Sequence, residues 1–473
     1  MAKKFYITTT LPYVNAEPHI GFALEMVQAD VLARYWKLQG ADIVFNTGTD
    51  EHGLKIYQKA VEAGKNPQKY CDEYAAKFEN LKKALNLSYT HFIRTTDKHH
   101  LEAAQEFWRR CQKNGYIYRK HYKVKYCIGC ELKKTESELI NNRCPLHPEQ
   151  QLEIIEEENY FFKFSSFQKK LLKLYDENLE FVVPSFRLKE IRNFVAKGLE
   201  DFSISRLKSK MPWGVDVPDD SKHVMYVWFD ALVNYISTLG WPNDEKKFKE
   251  FWPGIQVAGK DNLRQQSAMW QAMLMAAELP TSKQIMIHGF ITSDGKKMSK
   301  SLRNVVDPYE LVKKYGVDAV RYYLLREIPP FEDGDYSDIR MQEVYDADLA
   351  NELGNLVSRI TNLGEEDGID GDTIGKTPEK NTKERLDKLI ESYQFSEALN
   401  YIWALVKQLN KKLDEYAPWK KTKDVRGNFL KQTLNDIYNV GSFLRPFLPE
   451  TAEKIMNAAS GKIRKVAPLF PRI

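Results

Sequence analysis

The first fifty residues constrain the fold more than any other stretch of this chain. "KFYITTT" (4–10) is dense in β-branched and aromatic residues and reads as a strand. "LPYVNAEP" (11–18) is loop, and from about His19 to Lys37 the residues Leu24, Val27, Val31 and Tyr35 recur at helical spacing. Gly40 stops the helix, and "ADIVFNTG" (41–48) supplies a second strand. Strand, loop, helix and strand in that order predict a parallel pair joined by a crossover, the opening of a doubly wound α/β sheet. Ligands of such sheets bind outside the carboxyl ends of the strands.

At 473 residues the chain is too long for one domain of ordinary size. The α/β rhythm runs through 1–117, and a stretch at 118–221 rich in cysteine, proline and mixed charge interrupts it. "HVMYVWFDALVNYIS" (223–237), "GIQVAGKDN" (254–262) and "QIMIHGF" (284–290) resume it, so 222–292 reads as the second half of the split domain. Residues 293–345 hold a lysine-rich loop, then Asp307, Pro308 and Glu310 at the spacing of a helix start. From about Asp346 to Ala459 nearly all is helical, broken by a polar linker, so 346–473 reads as an all-α unit. No apolar run approaches the roughly 20 residues needed to cross a bilayer, and "MAKKFYITTT" lacks an apolar core after its lysines. The expectation is a cytoplasmic protein with no membrane partner. Net charge is only +5, from 70 basic and 65 acidic residues, which permits nucleic-acid contact without requiring it.

Five cysteines, an odd number, argue against a disulfide framework. Cys71 and Cys111 lie in helical stretches and read as buried thiols. Cys127 and Cys130 form a CxxC, and Cys144 and His147 a CxxH after 13 intervening residues. Two knuckles of soft ligands at that spacing predict one structural zinc per chain, stapling the insertion and leaving no open catalytic position.

Two further segments carry chemistry. "PHIGF" (18–22) falls where the first strand gives way to the first helix; a helix N-terminus offers backbone donors to anions, and Gly21 permits close approach. "KKMSKS" (296–301) follows the last strand and crowds lysines and hydroxyls beside Gly295. Both belong at the carboxyl edge of one sheet. Together they resemble the HIGH and KMSKS signatures of class I aminoacyl-tRNA synthetases, with KMSKS intact (297–301) and HIGH altered to "HIGF", Phe22 standing where its last histidine would be. The chemistry of that family is attack of a carboxylate on the α-phosphate of ATP with pyrophosphate leaving, which needs positioning and preorganised positive charge. The resemblance makes Lys300, Lys297 and His19 the catalytic candidates, and His19, Gly21, Gly259, Asp261, Lys297 and Lys300 the ATP-binding ones. Mg2+ is expected with the phosphates.

Within class I, "TTTLPYVNAEPHIG", "NTGTDEHG" (46–53) and "YVWFDALVNY" (226–235) resemble the methionyl-tRNA synthetases, and the likeness spans essentially the whole chain. It implies a Rossmann-type doubly wound parallel sheet, an inserted zinc-binding connective-peptide domain near the tRNA acceptor end, and an all-α anticodon-binding bundle. It places Leu11, Asp50, Trp228, Ala231, Leu232, Tyr235 and Gln266 around methionine, although Trp228 and Tyr235, seven apart, read equally as core on spacing alone. A thioether suits an aromatic and aliphatic pocket with one or two weak donors. Most relatives carry histidine at the position of Gln266, which hydrogen-bonds but is never cationic. "NLVSR" (355–359) and "APWKK" (417–421) match the family's anticodon-reading pattern, which singles out Asn355, Arg359, Pro418 and Trp419. The implied partners are ATP, L-methionine and tRNA(Met). The ending "APLFPRI" lacks the appended module of many relatives, and a monomer is expected. Two other readings stay open at this stage: a synthetase for another apolar amino acid, and a non-catalytic RNA-binding or regulatory paralogue, kept in view by Phe22 and Gln266.

Overall fold

The computed structural model describes residues 3–129, 132–134, 138–296, 298, 304–373 and 379–473. Its centre is a six-stranded, all-parallel sheet. The strands are β1 (Lys4–Thr8), β2 (Asp42–Thr49), β3 (His91–Arg94), β4 (Val182–Val183), β5 (Ile255–Gly259) and β6 (Gln284–His288), in the spatial order β3-β2-β1-β5-β6-β4. β1 pairs with β2 from Lys4–Asp42 to Thr8–Asn46 and with β5 at Ile7–Ile255, so chain direction reverses its walk across the sheet beside β1. That is the switch point at which doubly wound sheets open a crevice. β4 comes from within the 118–221 stretch, so part of that stretch returns to the central sheet as an edge strand on β6. Two residues are too few to leave a periodic signal in sequence.

The first helix, α1 (Ile20–Leu38), packs on one face of the sheet. It is apolar nearly all round, and thirteen of its residues are buried, because the sheet covers one side and the C-terminal helices the other. The buried charges on α1 are answered in place. Asp30 pairs with Arg321 at 2.8 Å and with Arg34 at 2.7 Å, and accepts from the Ser88 backbone N–H and hydroxyl. Burial pushes the Asp30 carboxyl up, but the two guanidinium groups outweigh it and hold it below the usual range. Arg321, fully buried in the helix Val317–Arg326, also donates to the carbonyls of Leu85, Pro446 and Phe447. One guanidinium thereby ties α1, the end of the helix Pro67–Ala84 and the C-terminal helices together, and removing either partner would strand a buried charge.

Helices Asp338–Val344, Tyr345–Gly354 and Asn355–Asp367 follow one another without a break, and with Lys380–Glu391, Phe395–Tyr416, Lys423–Leu444 and Pro449–Ala458 they form the C-terminal bundle. The bundle shares one continuous core with α1. The other face of the sheet is covered by a second core that includes Phe107, Trp108, Tyr235 and Trp270. The insertion is built on an antiparallel sheet in which Ile117–Cys127 pairs with Glu153–Phe162 over ten residue pairs, flanked by Leu132–Lys134 and Phe202–Ser203. Among the described residues no helix is long and apolar enough to cross a membrane.

Candidate active site

Two cavities adjoin at the carboxyl edge of β1, β2, β5 and β6. The smaller, about 90 Å3, is lined by Leu11, Asp50, Trp228, Ala231, Leu232, Tyr235 and Gln266, all seven residues singled out from sequence for methionine, together with Thr10, Tyr13, Asn234, Asn262 and Gln265. Its entrance is fixed by backbone pairing: Val14 N–H donates to the Asp50 carbonyl and Asp50 N–H to the Pro12 carbonyl, which clamps the loop after β1 to the loop after β2. The second loop is braced below by Glu51, whose carboxylate takes two bonds from Arg94 and one each from Thr49 and Thr96. Next to it, His52 Nδ1 meets buried Asp230 at 2.8 Å, which joins that loop to the start of the Trp228 helix. Tyr13, overlooked in sequence, accepts from Trp228 Nε1 at 2.9 Å. Its signal was position alone, two residues past Leu11.

The floor of this cavity is a chain of buried amides and hydroxyls. Gln271 donates to Ser282 Oγ, Ser282 to Gln256 Oε1, Gln256 to Gln266 Oε1, and Gln266 Nε2 to the Tyr235 hydroxyl at 2.7 Å. The side-chain donors all run one way, toward Tyr235, while the Ser282 backbone N–H returns a bond to Gln271 Oε1. The Tyr235 oxygen is therefore an acceptor within the wall, and its own proton is left for the cavity. Burial pushes the Tyr235 phenol well above its ordinary pKa, so that proton stays on.

The larger cavity, about 410 Å3, is lined by His19, Gly21, Phe22 and Glu25 from α1, by Gly259, Asp261 and Asn262 after β5, and by His288, Ile291, Thr292, Met298 and Asp333. Thr10 and Asn262 line both cavities. His19 caps α1, its Nδ1 accepting from Gly21 N–H at 3.1 Å. A Cβ at residue 21 would lie 2.8 Å from the His19 ring, so glycine is required for the imidazole to fold back over the helix start. Burial lowers the His19 pKa to about 4 and keeps the ring neutral near pH 7. Glu25, also overlooked in sequence, accepts from the Thr10 backbone and hydroxyl and from His288 Nε2 at 2.9 Å. Its place six residues beyond His19 in a buried helix gave no sign of this. Lys297 and Lys300 lie outside the described residues, but Met298 between them is in the same cleft as His19. Segments almost 280 positions apart thus converge at one site. Among the described lining residues there is no lysine or arginine, while Glu25, Asp261 and Asp333 bring three carboxyl groups. A polyanion in this cleft needs countercharge from beyond these lining residues.

At the end of the strand Ile117–Cys127, Cys127 and Cys144 are buried, and their sulfurs lie 3.7 and 3.9 Å from His147 Nδ1. Tetrahedral bond lengths of about 2.3 Å to sulfur and about 2.0 Å to nitrogen separate such ligand atoms by about 3.6 Å. The three groups can hold a metal ion; Cys130 lies outside the described residues. A Cβ at Gly129 would meet the His147 ring at 2.5 Å, so the knuckle closes around the imidazole only with glycine there.

On the bundle, Asn355 is exposed and Arg359 half-buried on one helix. The Arg359 guanidinium stands 4.8 Å from the Trp419 ring and pairs with Asp414 at 2.6 Å. Trp419 is 45% exposed, while Pro418 is buried and its carbonyl accepts from Arg426. The structure therefore brings Asn355, Arg359 and Trp419 to one surface and uses Pro418 as its support.

A family model described as tRNA synthetases class I (M) matches residues 5–151 and 129–361. The methionine–tRNA ligase of Thermotoga maritima is 41% identical over 478 residues, covering 97% of this chain and 75% of that protein. That of Thermosynechococcus vestitus is 41% identical over 492 residues, covering 100% and 93%. Among solved structures, Mycobacterium tuberculosis methionyl-tRNA synthetase in complex with methionyl-adenylate superposes with a TM-score of 0.92 at 35% identity, over 99% of this chain and 100% of that one.

Proposed function

Because the chain belongs to the methionine–tRNA ligases of the class I tRNA synthetase family, we propose that its two adjoining cavities hold the two parts of a methionyl-adenylate. The observation that carries this assignment is their junction at Thr10 and Asn262, a side-chain-sized pocket opening into a nucleotide-sized one. The methionine side chain enters between Trp228, Leu232 and Tyr235, with the Tyr235 hydroxyl directed at the thioether and Asp50 near the ammonium. Gln266 takes the place of an imidazole by passing a hydrogen bond to Tyr235 rather than by carrying charge. The methionine carboxylate then faces the α-phosphate of ATP at the cavity junction. His19 donates from Nε2 to the phosphates, Asp261 meets the ribose, and Lys297 and Lys300 balance the charge that develops on departing pyrophosphate. Mg2+ arrives with ATP as part of the substrate. In the second half-reaction a ribose hydroxyl at the 3′ end of tRNA(Met) attacks the methionyl carbonyl and AMP leaves.

Two surfaces support a tRNA substrate. The insertion holds an open cavity of about 620 Å3 lined in part by Tyr118, Lys120, Tyr122, Phe202 and Arg206, aromatic and basic as unpaired nucleotides require. Its wall residue Tyr226 packs against Trp228 of the methionine pocket, which suits the acceptor end. The exposed Trp419 plate with Arg359 and Asn355 suits an unpaired anticodon base. Zinc at Cys127, Cys130, Cys144 and His147 would hold the insertion closed and takes no part in the chemistry.

Methionine-dependent exchange of labelled pyrophosphate into ATP tests the assignment. Exchange with methionine is the expected result. Exchange driven by leucine instead would move the protein to another apolar amino acid, and no exchange with any amino acid would remove the catalytic reading.

A further inference from the structure

The cleft raises a question about residue 22, where this chain departs from the family signature. The Phe22 ring does not stand alone as a lost phosphate ligand. Its centroid lies 4.5 Å from the His19 imidazole at an interplanar angle of 36°, and the far side of Phe22 meets buried Phe78 edge-on at 5.5 Å. His19 is held in three ways: Gly21 N–H donates to Nδ1, the Gly21 backbone underlies the ring, and Phe22 covers it laterally. The backbone here is fixed as well, since Phe22 N–H donates to the His19 carbonyl, and Ile20 N–H between them donates to the Val306 carbonyl.

We propose that Phe22 is a positioning residue for the triphosphate, clamping the His19 ring in the single orientation in which Gly21 N–H can hold Nδ1 and thereby keep the tautomer that presents Nε2–H to the cleft. This rests on the assignment of the larger cavity to ATP. Because Nδ1 is occupied as an acceptor, the neutral ring carries its proton on Nε2. A ring free to rotate or to switch tautomer would offer that donor only part of the time, and the entropy of fixing it would be charged against ATP binding. A second imidazole would serve as a second donor; a phenyl ring instead makes the one donor permanent. The phosphate cradle of this chain accordingly depends on fewer groups, each held more firmly.

The test compares Phe22→Leu, which keeps apolar volume and loses the ring, with Phe22→Tyr, which keeps the ring. Histidine-15N-labelled protein gives the tautomer of His19 directly, and pyrophosphate exchange gives KM for ATP and for methionine separately. For Phe22→Leu we expect KM for ATP to rise about 3- to 10-fold, in line with loss of one aromatic pair. KM for methionine should stay within about 2-fold, and the His19 nitrogen shifts should move from one tautomer toward an average. Phe22→Tyr should restore both. The proposal is overturned by a wild-type His19 that already averages its tautomers, by Phe22→Leu matching wild type in both readouts, or by equal rises in both KM values. The nitrogen spectrum needs no substrate, so it stands apart from failure of the ligase assignment, which would appear as absent exchange in the wild-type protein.

Discussion

Replacing Tyr235 by phenylalanine separates the two jobs of one hydroxyl. Tyr235 is 2% exposed, and the residues beneath it, Gln266, Gln256, Gln271 and Ser282, are all buried. Its oxygen is the last acceptor in a one-way run of side-chain donors, so Tyr235→Phe leaves the Gln266 Nε2 donor buried without its partner. That costs about 1–3 kcal/mol of stability. On the proposed assignment of the small cavity, the lost proton is the one directed at the methionine thioether. A net hydrogen bond contributes about 0.5–1.5 kcal/mol, and sulfur is a weak acceptor, so the lower part of that range applies: about 0.5–1 kcal/mol, or about 2- to 5-fold. Norleucine, which has a methylene in place of sulfur, supplies the control. The assay is pyrophosphate exchange with each amino acid, beside chemical denaturation of both proteins. Wild type should favour methionine, and Tyr235→Phe should shrink the methionine-to-norleucine ratio of kcat/KM by that factor while lowering the unfolding free energy. An unchanged ratio alongside lowered stability would refute the direction assigned to the hydroxyl, because the wall contact would then be its only role.

Lys300→Ala should reduce kcat for exchange by about 10²- to 10³-fold, the loss of one preorganised group at developing charge, with KM for methionine within about 2-fold of wild type; equal damage to both would place the lysine elsewhere. Burial opposes charge on His288, but the Glu25 carboxylate outweighs it and raises the imidazole pKa above its ordinary value of 6.5. The stability from that pair is then complete below about pH 6.5 and disappears as pH rises through the raised folded value. Denaturation at about pH 6 and about pH 9 should show that loss in wild type and not in Glu25→Gln. Trp419→Ala should spare exchange and lower kcat/KM for tRNA by about 5- to 150-fold, the range for one stacked base; unchanged charging would remove the anticodon assignment. Freshly purified protein should carry about one equivalent of zinc, and a chelator should release it and make the 118–162 region sensitive to protease; less than about half an equivalent would undo the knuckle.

Local pattern and chemistry determined much of this protein before any fold was known. Helical periodicity placed α1 to within a residue at each end, and Asp307 caps the helix Pro308–Tyr315 by accepting from Tyr309 N–H as its sequence signals. Ligand spacing found Cys127, Cys144 and His147, since knuckles are built from neighbours in the chain. The family likeness gave seven of the twelve residues that line the small cavity, because each sits in a contiguous motif. Tertiary structure alone decided the rest. Glu25 pairs with a histidine 263 positions away, Tyr13 with a tryptophan 215 away, and Arg321 with three separate segments at once. The two-residue strand β4 exists only because β6 offers it an edge. Periodicity reports which face of an element is buried, but not which distant group will meet it there. The partner is chosen by how the layers pack, and that choice turned an ordinary buried glutamate and an off-signature phenylalanine into walls of the larger cavity.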